Sequence, residues 1–271
     1  MNRPLVMGIV NATPDSFSDG GRFAGLDAAV AHGQRLIAQG ADWLDVGGES
    51  TRPGAAPVSE AEELSRVVPL IAAIRARSAI PISVDTMKPA VARAAVTAGA
   101  SSWNDVTALS WSPESLATAA ALGCDVMLMH MQGEPATMQD DPRYEDVVAE
   151  VIGFLAARAE AAEAAGVARG RIWLDPGIGF GKTADHNLAL LSALGGIAAL
   201  GFPVLLGASR KGFIRPVDPA ATDAGDRLGG SLAAALAGAR AGVAMVRVHD
   251  VRETVQALAV EAAITRGKAR G

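Results

Sequence analysis

The stretch RIWLDPGIGFGKT, residues 171–183, is the part of the sequence that bears most directly on the fold. It is a short apolar run that ends on Asp175 and then turns through three glycines. An apolar run without polar alternation is typical of a parallel strand covered on both faces, and Pro176 cannot continue a central strand. The stretch therefore predicts a buried strand that leaves the sheet just after Asp175 and delivers that acid to a site.

The glycines of this stretch suggest two nucleotide-binding motifs, and neither motif fits. A phosphate-binding loop of the form GxxxxGK[ST] needs glycine where the chain has Pro176. Gly177, Gly179 and Gly181 are spaced as GxGxG, whereas dinucleotide-binding folds use GxGxxG. We therefore expect no nucleotide-binding loop here.

A short apolar run followed by a helix-period stretch rich in Ala and charge recurs eight times along the chain. Eight such units without a break in composition predict an α/β fold, one closed (β/α)₈ TIM barrel in a single domain over residues 1–271. An open doubly wound sheet is the alternative. The apolar runs are 5–10, 42–46, 81–84, 101–103, 125–129, 172–174, 203–206 and 243–248. The helix-period stretches lie near 27–39, 59–77, 90–98, 113–121, 144–165, 186–194, 227–241 and 251–265.

Composition and charge exclude several classes of protein. The chain has 271 residues, of which 50% are hydrophobic, and can bury a large core. Its net charge of −5 gives no basic field for nucleic acid. The single cysteine, Cys124, fits a reducing compartment, so we expect a cytoplasmic protein. Residues 188–209 carry no charge, but glycines and Pro203 divide them, so no membrane-spanning helix is expected.

Polar side chains stand at or just after the end of nearly every apolar run. In a barrel these positions share the C-terminal face, where the loops after the strands build the active site. Taken singly, each has an ordinary structural explanation: Asp45 or Asp85 could cap a helix, and Asn104 could satisfy a turn. Together they predict an active site at that face. The residues at the run ends are Asn11, Gly47, Asp85, Asn104, His130, Asp175, Ser209 with Lys211, and Arg247 with His249.

Eight ordered motifs make the chain similar to a known family over nearly its whole length. They are NATPDSFSDGG at 11–21, DVGGESTRPG at 45–54, SVDT at 83–86, NDV at 104–106, MHMQG at 129–133, DPGIGFGKT at 175–183, SRK at 209–211 and RVHD at 247–250. The sequence resembles the dihydropteroate synthases. This resemblance implies a transferase of folate biosynthesis that condenses 6-hydroxymethyl-7,8-dihydropterin diphosphate with 4-aminobenzoate, giving dihydropteroate and diphosphate. It also implies a Mg²⁺ cofactor, a homodimer and a target of sulfonamides.

By the family pattern, polar side chains match the donors and acceptors along the edge of the pterin. Asp85, Asn104 and Asp175 line this edge, with Asp175 accepting a bidentate pair of N–H bonds. Lys211 reaches the carbonyl and a nearby ring nitrogen. The guanidinium of Arg247 lies flat against the ring.

The resemblance also implies apolar contacts to the substrates. Met129 and Phe180 would contact the ligands, although barrel filling alone would explain both side chains. Loops 13–21 and 48–57 are longer than ordinary loops between strand and helix, which favours a function for them. The family pattern makes these loops lids that close on 4-aminobenzoate. The residues that it brings near the aryl ring are Phe17, Thr51 and Pro53.

The diphosphate needs charge compensation. Arg247 and His249 precede a predicted helix, and a helix N-terminus favours an anion. The resemblance implies that Asn11 helps to hold the diphosphate with Mg²⁺, whose other ligands would be phosphate oxygens and water. It also gives Asp19 and Arg52 a part in ordering the closed loops.

Two other functions stay open at this point. A pterin-dependent methyltransferase would share the acid and amide recognition of the pterin, although the SRK motif and both long loops argue against it. A non-catalytic pterin-binding subunit would be expected to lose its diphosphate residues, and Asn11, Arg247 and His249 are all present. One departure from the family is Gly212, where many members carry a hydroxyl or a larger side chain. A backbone N–H would have to hold the benzoate carboxylate there.

Overall fold

The computed structural model describes residues 3–12, 21–50 and 54–268, in which strands and helices alternate. The strands are β1 (Leu5–Asn11), β2 (Trp43–Gly47), β3 (Ile82–Asp85), β4 (Ser102–Asp105), β5 (Asp125–Met129), β6 (Ile172–Asp175), β7 (Leu205–Leu206) and β8 (Met245–Val248). The helices are α1 (Gly21–Ala38), α2 (Glu60–Arg75), α3 (Pro89–Thr97), α4 (Ser115–Leu122), α5 (Val147–Ala164), α6 (Ala184–Ser192), α7 (Leu194–Ala198), α8 (Leu228–Arg240) and α9 (Val251–Lys268).

The eight strands form one parallel sheet that closes on itself. Their order is β6-β5-β4-β3-β2-β1-β8-β7, so each strand lies beside its neighbours in sequence and β1 lies beside β8. A parallel bridge between Leu174 of β6 and Val204, just before β7, joins the two ends of this order. The predicted closed barrel is confirmed. The doubly wound alternative is excluded, because its strand order would reverse at a switch point.

Most element boundaries agree with the sequence-based expectations to within a few residues. Ser59 caps α2, since its hydroxyl accepts a hydrogen bond from the N–H of Glu62 at 3.3 Å. The carboxylate of Asp250, which precedes α9, pairs with Arg210. The single helix expected near 186–194 is two helices, α6 and α7, and the run at 203–206 contributes a strand of two residues.

The outer core lies between the strands and the surrounding helices. Helix α2 buries Val67, Leu70, Ile71 and Ile74, a spacing that places all four side chains on the face toward the sheet. Each buried side chain of this size stabilises the fold by about 1.5–3 kcal/mol. Within the described ranges, no helix combines the length and apolar character needed to span a bilayer.

The inside of the barrel has two levels, one apolar and one polar. The lower level is an apolar cluster, and side chains alternate in direction along a strand, so the next inward residue stands two positions further on. The lower cluster contains Met7, Trp43, Met127, Leu205 and Met245, with Trp173 packed against it. Two positions further along β2, β5, β6 and β8 stand Asp45, Met129, Asp175 and Arg247. The upper level therefore lies at the C-terminal ends of the strands.

Candidate active site

Arg247 of β8 lies between two carboxylates on neighbouring strands across the barrel. Its Nε donates to Oδ2 of Asp45 at 2.6 Å, and its Nη2 donates to Oδ2 of Asp85 at 2.8 Å. Burial alone would lower the pKa of Arg247, but the carboxylates of Asp45 and Asp85 outweigh that effect and raise it. The guanidinium is therefore a permanent cation at the centre of the polar level.

Asp85 at the end of β3 is buried beside a second acid. Burial, opposed by the charge of Arg247 and reinforced by that of Asp45, raises the pKa of its carboxyl to about 7. Asn104 at the corresponding position of β4 is also buried, and its Nδ2 donates to Oδ2 of Asp45 at 3.2 Å. Asp85, Asn104 and Arg247 thus form one hydrogen-bonded group.

Asp175 ends β6 as the sequence predicted, and it is buried at the mouth of the barrel. Its Oδ1 accepts the N–H of Gly177 at 2.7 Å. Its Oδ2 and the Nζ of Lys211 both border Gly207, where an added Cβ would lie 3.6 Å from Oδ2 and 3.9 Å from Nζ. Burial raises the pKa of Asp175, and the nearby Lys211 partly offsets that rise.

Lys211 follows β7 and reaches across to the glycine-rich loop after β6. Its Nζ donates to the carbonyl oxygen of Ile178 and lies 4.4 Å from the centre of the Phe180 ring. Burial lowers the pKa of Lys211 to about 8, although Asp175 opposes the change. Lys211 and Asp175 therefore border the same space beside Gly207.

An apolar wall completes one side of this space. Met129, at the end of β5, is buried against Met87 and Val106, and Phe180 packs on this group from the loop after β6. Sulfur and aromatic carbon are polarizable, so such a wall suits the face of a flat heteroaromatic ring. The structure brings Met129 and Phe180 together beside the predicted pterin residues.

The loop after β6 follows the end of β5 so closely that it needs glycine. Gly177 has a φ of +67°, and a Cβ there would lie 1.8 Å from the carbonyl oxygen of His130. Lys182 is 3% exposed and links the same two segments. Its Nζ contacts Nδ1 of His130 at 2.9 Å and donates to the carbonyl oxygen of Phe180 at 2.9 Å. Burial lowers the pKa of Lys182 to about 7.

The predicted diphosphate residues lie at the same end of the barrel. Asn11 is the last residue of β1 and pairs in register with Gly47 of β2. The backbone N–H of His249 donates to the hydroxyl of Ser209 at 3.2 Å, and its Nδ1 lies 3.1 Å from that oxygen. His249 stands two residues before α9, so the N-terminus of that helix opens toward the same region.

Five predicted site residues fall outside the described part of the chain. They are Phe17, Asp19, Thr51, Arg52 and Pro53. The roles proposed for them as parts of two closing loops stay predictions. The other nine predicted residues are Asn11, Asp85, Asn104, Met129, Asp175, Phe180, Lys211, Arg247 and His249, and each lies on or just after the C-terminal end of a strand.

The sequence reasoning missed two polar residues of this site. Asp45 was considered a possible helix cap, yet it lies within β2 and is fully buried. Lys182 was counted in a family motif without a role. The signal for Asp45 was present, because a carboxylate inside an apolar run of strand length must be paired when it is buried. No comparable signal marks Lys182, whose partner His130 is 52 residues away in sequence.

Buried acids beside an apolar wall, at the C-terminal face of a barrel, suit one class of protein. This class comprises enzymes that bind a flat heteroaromatic ring carrying N–H donors. Comparison with known proteins gives the same class. A family model described as pterin binding enzyme matches residues 7–249.

Individual relatives narrow this class further. Dihydropteroate synthase of Escherichia coli (strain K12) is 48% identical over 271 residues, which is 99% of this chain and 94% of that protein. The structure of Xanthomonas albilineans dihydropteroate synthase with 4-aminobenzoic acid matches with a TM-score of 0.91 and 52% identity, over 97% of this chain and 93% of that one. Yersinia pestis dihydropteroate synthase in a sulfonamide drug complex matches with a TM-score of 0.91 and 45% identity, over 97% and 95%. The chain belongs to the dihydropteroate synthase family.

Proposed function

We propose that this chain condenses 6-hydroxymethyl-7,8-dihydropterin diphosphate with 4-aminobenzoate, giving dihydropteroate and diphosphate, as a transferase of folate biosynthesis. The observation that carries the proposal is the convergence of two buried acids, one amide and two cations at one end of the barrel. These residues are Asp85, Asp175, Asn104, Lys211 and Arg247. The similarity to dihydropteroate synthases over nearly the whole chain supports the same reaction.

The free atoms of these side chains match the edge of a pterin. Asp85 and Asp175 each bind one protein donor through a single oxygen, so each keeps a second oxygen to accept an amino or ring N–H of the ligand. Lys211 supplies a donor for the ring carbonyl and neighbouring nitrogen. Arg247 has its edge held by carboxylates, so a face of the guanidinium is left to stack on the ring.

The chemical step breaks the C–O bond between the pterin methylene and the diphosphate and forms a C–N bond to the aryl amine. Positive charge that develops on the methylene is delocalised into the electron-rich pterin, and the bond electrons leave with the diphosphate. The attacking amine is already neutral at pH 7 and releases its proton after attack, so no dedicated base is needed. The protein contributes positioning and electrostatic stabilisation.

The diphosphate would lie among Asn11, Arg247, His249 and the N-terminus of α9. Within the described residues, no three His, Cys, Asp or Glu side chains are grouped closely enough to hold a metal ion. Asn11 therefore fits a Mg²⁺ ion that takes most of its ligands from phosphate oxygens and water. When bound, Mg²⁺ would neutralise charge on the departing diphosphate.

The 4-aminobenzoate site would involve the two long loops, with Phe17, Thr51 and Pro53 near the ring and Asp19 and Arg52 ordering the loops. Sulfonamides present the same aryl amine, so they should compete with 4-aminobenzoate. A homodimer, implied by the family resemblance, belongs to the same proposal and can be tested by analytical ultracentrifugation. The cytoplasmic location stays a prediction.

The decisive experiment is an assay of diphosphate release. Purified protein with Mg²⁺ should release diphosphate and form dihydropteroate when both substrates are present, and release far less with either substrate alone. A pterin-dependent methyltransferase would transfer a methyl group without releasing diphosphate. A non-catalytic subunit would bind the pterin diphosphate and leave it intact, and either result would overturn the proposal.

A further inference from the structure

We propose that Asp45 is a positioning residue of the pterin site, which fixes the hydrogen-bonding face of Asn104 and the plane of Arg247. The inference rests on the proposed function, because it concerns how the pterin is recognised. Asp45 is fully buried within β2, below the ends of the strands. It therefore acts through the residues that it holds and not by touching the ligand.

The first consequence concerns the amide of Asn104. A carboxylate oxygen can only accept a hydrogen bond, so the group that lies 3.2 Å from Oδ2 of Asp45 must be the amide nitrogen of Asn104. The amide oxygen stands on the other branch and is left for the ligand. Asn104 is thereby an acceptor toward the pterin, which suits an N–H on the ligand edge. Without the carboxylate, the amide could turn over and present its NH₂ to that N–H.

The second consequence concerns the guanidinium of Arg247. Nε is bound by Asp45 and Nη2 by Asp85, and these two nitrogens lie along one edge of the planar group. Two carboxylates on one edge fix both the position and the tilt of the plane. A face held in this way is prepared to receive a flat ring, and the reorganisation on binding is small. Removing Asp45 leaves Asp85 as a single anchor, about which the plane can rotate.

Both effects of Asp45 concern the binding of the pterin, and neither concerns the binding of 4-aminobenzoate. Both hydrogen bonds end on Oδ2 of Asp45, and Oδ1 bonds to none of the described residues. Asp45→Leu keeps the branched shape of the side chain but removes both acceptor oxygens and the charge. We expect calorimetric titration with 6-hydroxymethyl-7,8-dihydropterin diphosphate and Mg²⁺ to show binding at least tenfold weaker than wild type. The KM for 4-aminobenzoate at saturating pterin should stay within about twofold, a separation that general loosening of the barrel would not produce.

A matched control comes from Ser83, which pairs in register with Asp45 on the adjacent strand β3. Ser83 is fully buried, and its hydroxyl bonds to none of the described residues. Ser83→Ala therefore alters the barrel beside Asp45 without removing a hydrogen bond to Asn104 or Arg247. Its pterin affinity should lie within about twofold of wild type. A loss equal to that of Asp45→Leu would contradict a specific role for Asp45.

The sharpest test is the conservative variant Asp45→Asn, which loses the charge but keeps one acceptor oxygen. With that oxygen at the place of Oδ2, the amide accepts from both Asn104 and Arg247. Pterin affinity should recover to within about threefold of wild type. The proposal is overturned if a folded Asp45→Leu protein binds the pterin as tightly as wild type, or if Asp45→Asn binds no better than Asp45→Leu.

Failure of the proposed reaction would look different. In that case the wild-type protein would bind the pterin diphosphate and form no dihydropteroate. The binding titrations on Asp45→Leu, Asp45→Asn and Ser83→Ala would still report whether Asp45 orients Asn104 and Arg247.

Discussion

The two levels of the barrel interior stand two residues apart on the same strands and meet opposite physical demands. At the lower level, Met7, Met127 and Met245 are fully buried among apolar neighbours, and each contributes favourable burial. At the upper level, Asp85 and Asp175 are also buried, and burial raises the pKa of both. Burying a charge is costly unless it is paired. The lower level therefore stabilises the barrel, and that stability offsets the cost of the charges buried at the upper level.

The largest effect is expected from a cavity at the lower level. Met127→Ala removes a fully buried side chain from the apolar cluster, and changes of this kind cost about 2–5 kcal/mol in the free energy of unfolding. Urea denaturation should show this loss. The protein that stays folded should bind the pterin diphosphate within about threefold of wild type, because Met127 lies one level below the site.

Met129→Ala is the matched variant, since Met129 stands one level higher on the same strand, in the apolar wall beside Phe180. It should lose less stability and bind the pterin more weakly than Met127→Ala does. If Met127→Ala weakens pterin binding as much as Met129→Ala, the two levels are not functionally separate.

The next effect concerns Asp175. In Asp175→Asn the N–H of Gly177 still requires an acceptor, so the amide oxygen should take the place of Oδ1 and the NH₂ should take the place of Oδ2. That NH₂ would face donors of the pterin. Losing one charge-assisted bond, worth about 1.5–3 kcal/mol, should weaken pterin binding at least about tenfold. Calorimetry measures the affinity, and circular dichroism should show an unchanged fold.

A folded Asp175→Asn protein with wild-type pterin affinity would remove this acid from the recognition of the ligand. A protein that fails to fold would assign Asp175 to the stability of the barrel instead.

The third effect concerns Lys182, a buried amine in the loop after β6, and the cost of charging it. Burial lowers the pKa of Lys182 from 10.5 to about 7, so the folded protein gives up this proton more easily than the unfolded chain does. Burial of Lys182 therefore costs no stability above pH 10.5, where the side chain is neutral in both states. The folded protein loses stability as the pH falls from 10.5 toward 7. Lys182→Met lacks this dependence. The stability of wild type relative to Lys182→Met should thus be greater at pH 8.5 than at pH 6, by on the order of 1–2 kcal/mol.

Urea denaturation of both proteins at pH 6 and pH 8.5 gives the comparison. The methionine variant is the control for titrating groups other than His130, whose pKa is lowered by burial and by the charge of Lys182. An equal stability difference at the two pH values would show that Lys182 titrates as an exposed lysine does.

The smallest effect is expected at Gly212, which follows Lys211 at the rim of the polar level. A Cβ at Gly212 would have no atom within 4 Å, so Gly212→Ser fits without displacing a neighbour. The added hydroxyl could hydrogen-bond the carboxylate of 4-aminobenzoate. One such bond contributes about 0.5–1.5 kcal/mol, which corresponds to a two- to tenfold lower KM for 4-aminobenzoate. Steady-state kinetics of Gly212→Ser beside Gly212→Ala separate the hydroxyl from the added carbon. Equal KM values for the two variants would place the carboxylate elsewhere.

Much of the barrel could be predicted because its signals are local. A strand such as β5 is a continuous apolar run, and its predicted bounds at 125–129 agree with the structure. The division into α6 and α7 was not predicted, because Gly195 and Gly196 indicate a loop, whereas both lie inside α7. The two-residue strand β7 was predicted too long, since pairing with β8 and not composition sets its length.

Part of the candidate site was also predictable, for a reason of topology. The C-terminal ends of parallel strands in a barrel share one face, so a polar residue at each end can be assigned to one site without knowing any distance. This reasoning placed Asp85, Asn104, Asp175 and Arg247 together before any contact was known. Motif resemblance added the roles expected of them. The five loop residues between 17 and 53 lie outside the described chain, so their contacts stay predictions.

The number of units, the parallel barrel and the polar face follow from the sequence, because periodicity and strand-end composition depend on local chemistry. Which polar atoms meet depends on the folded barrel. Asp45 contacts Asn104 across 59 residues of sequence and Arg247 across 202, and those pairings depend on the register of β2, β4 and β8 around the closed sheet. Whether an amide presents its oxygen or its nitrogen to a ligand depends on such a partner, and no local pattern records it.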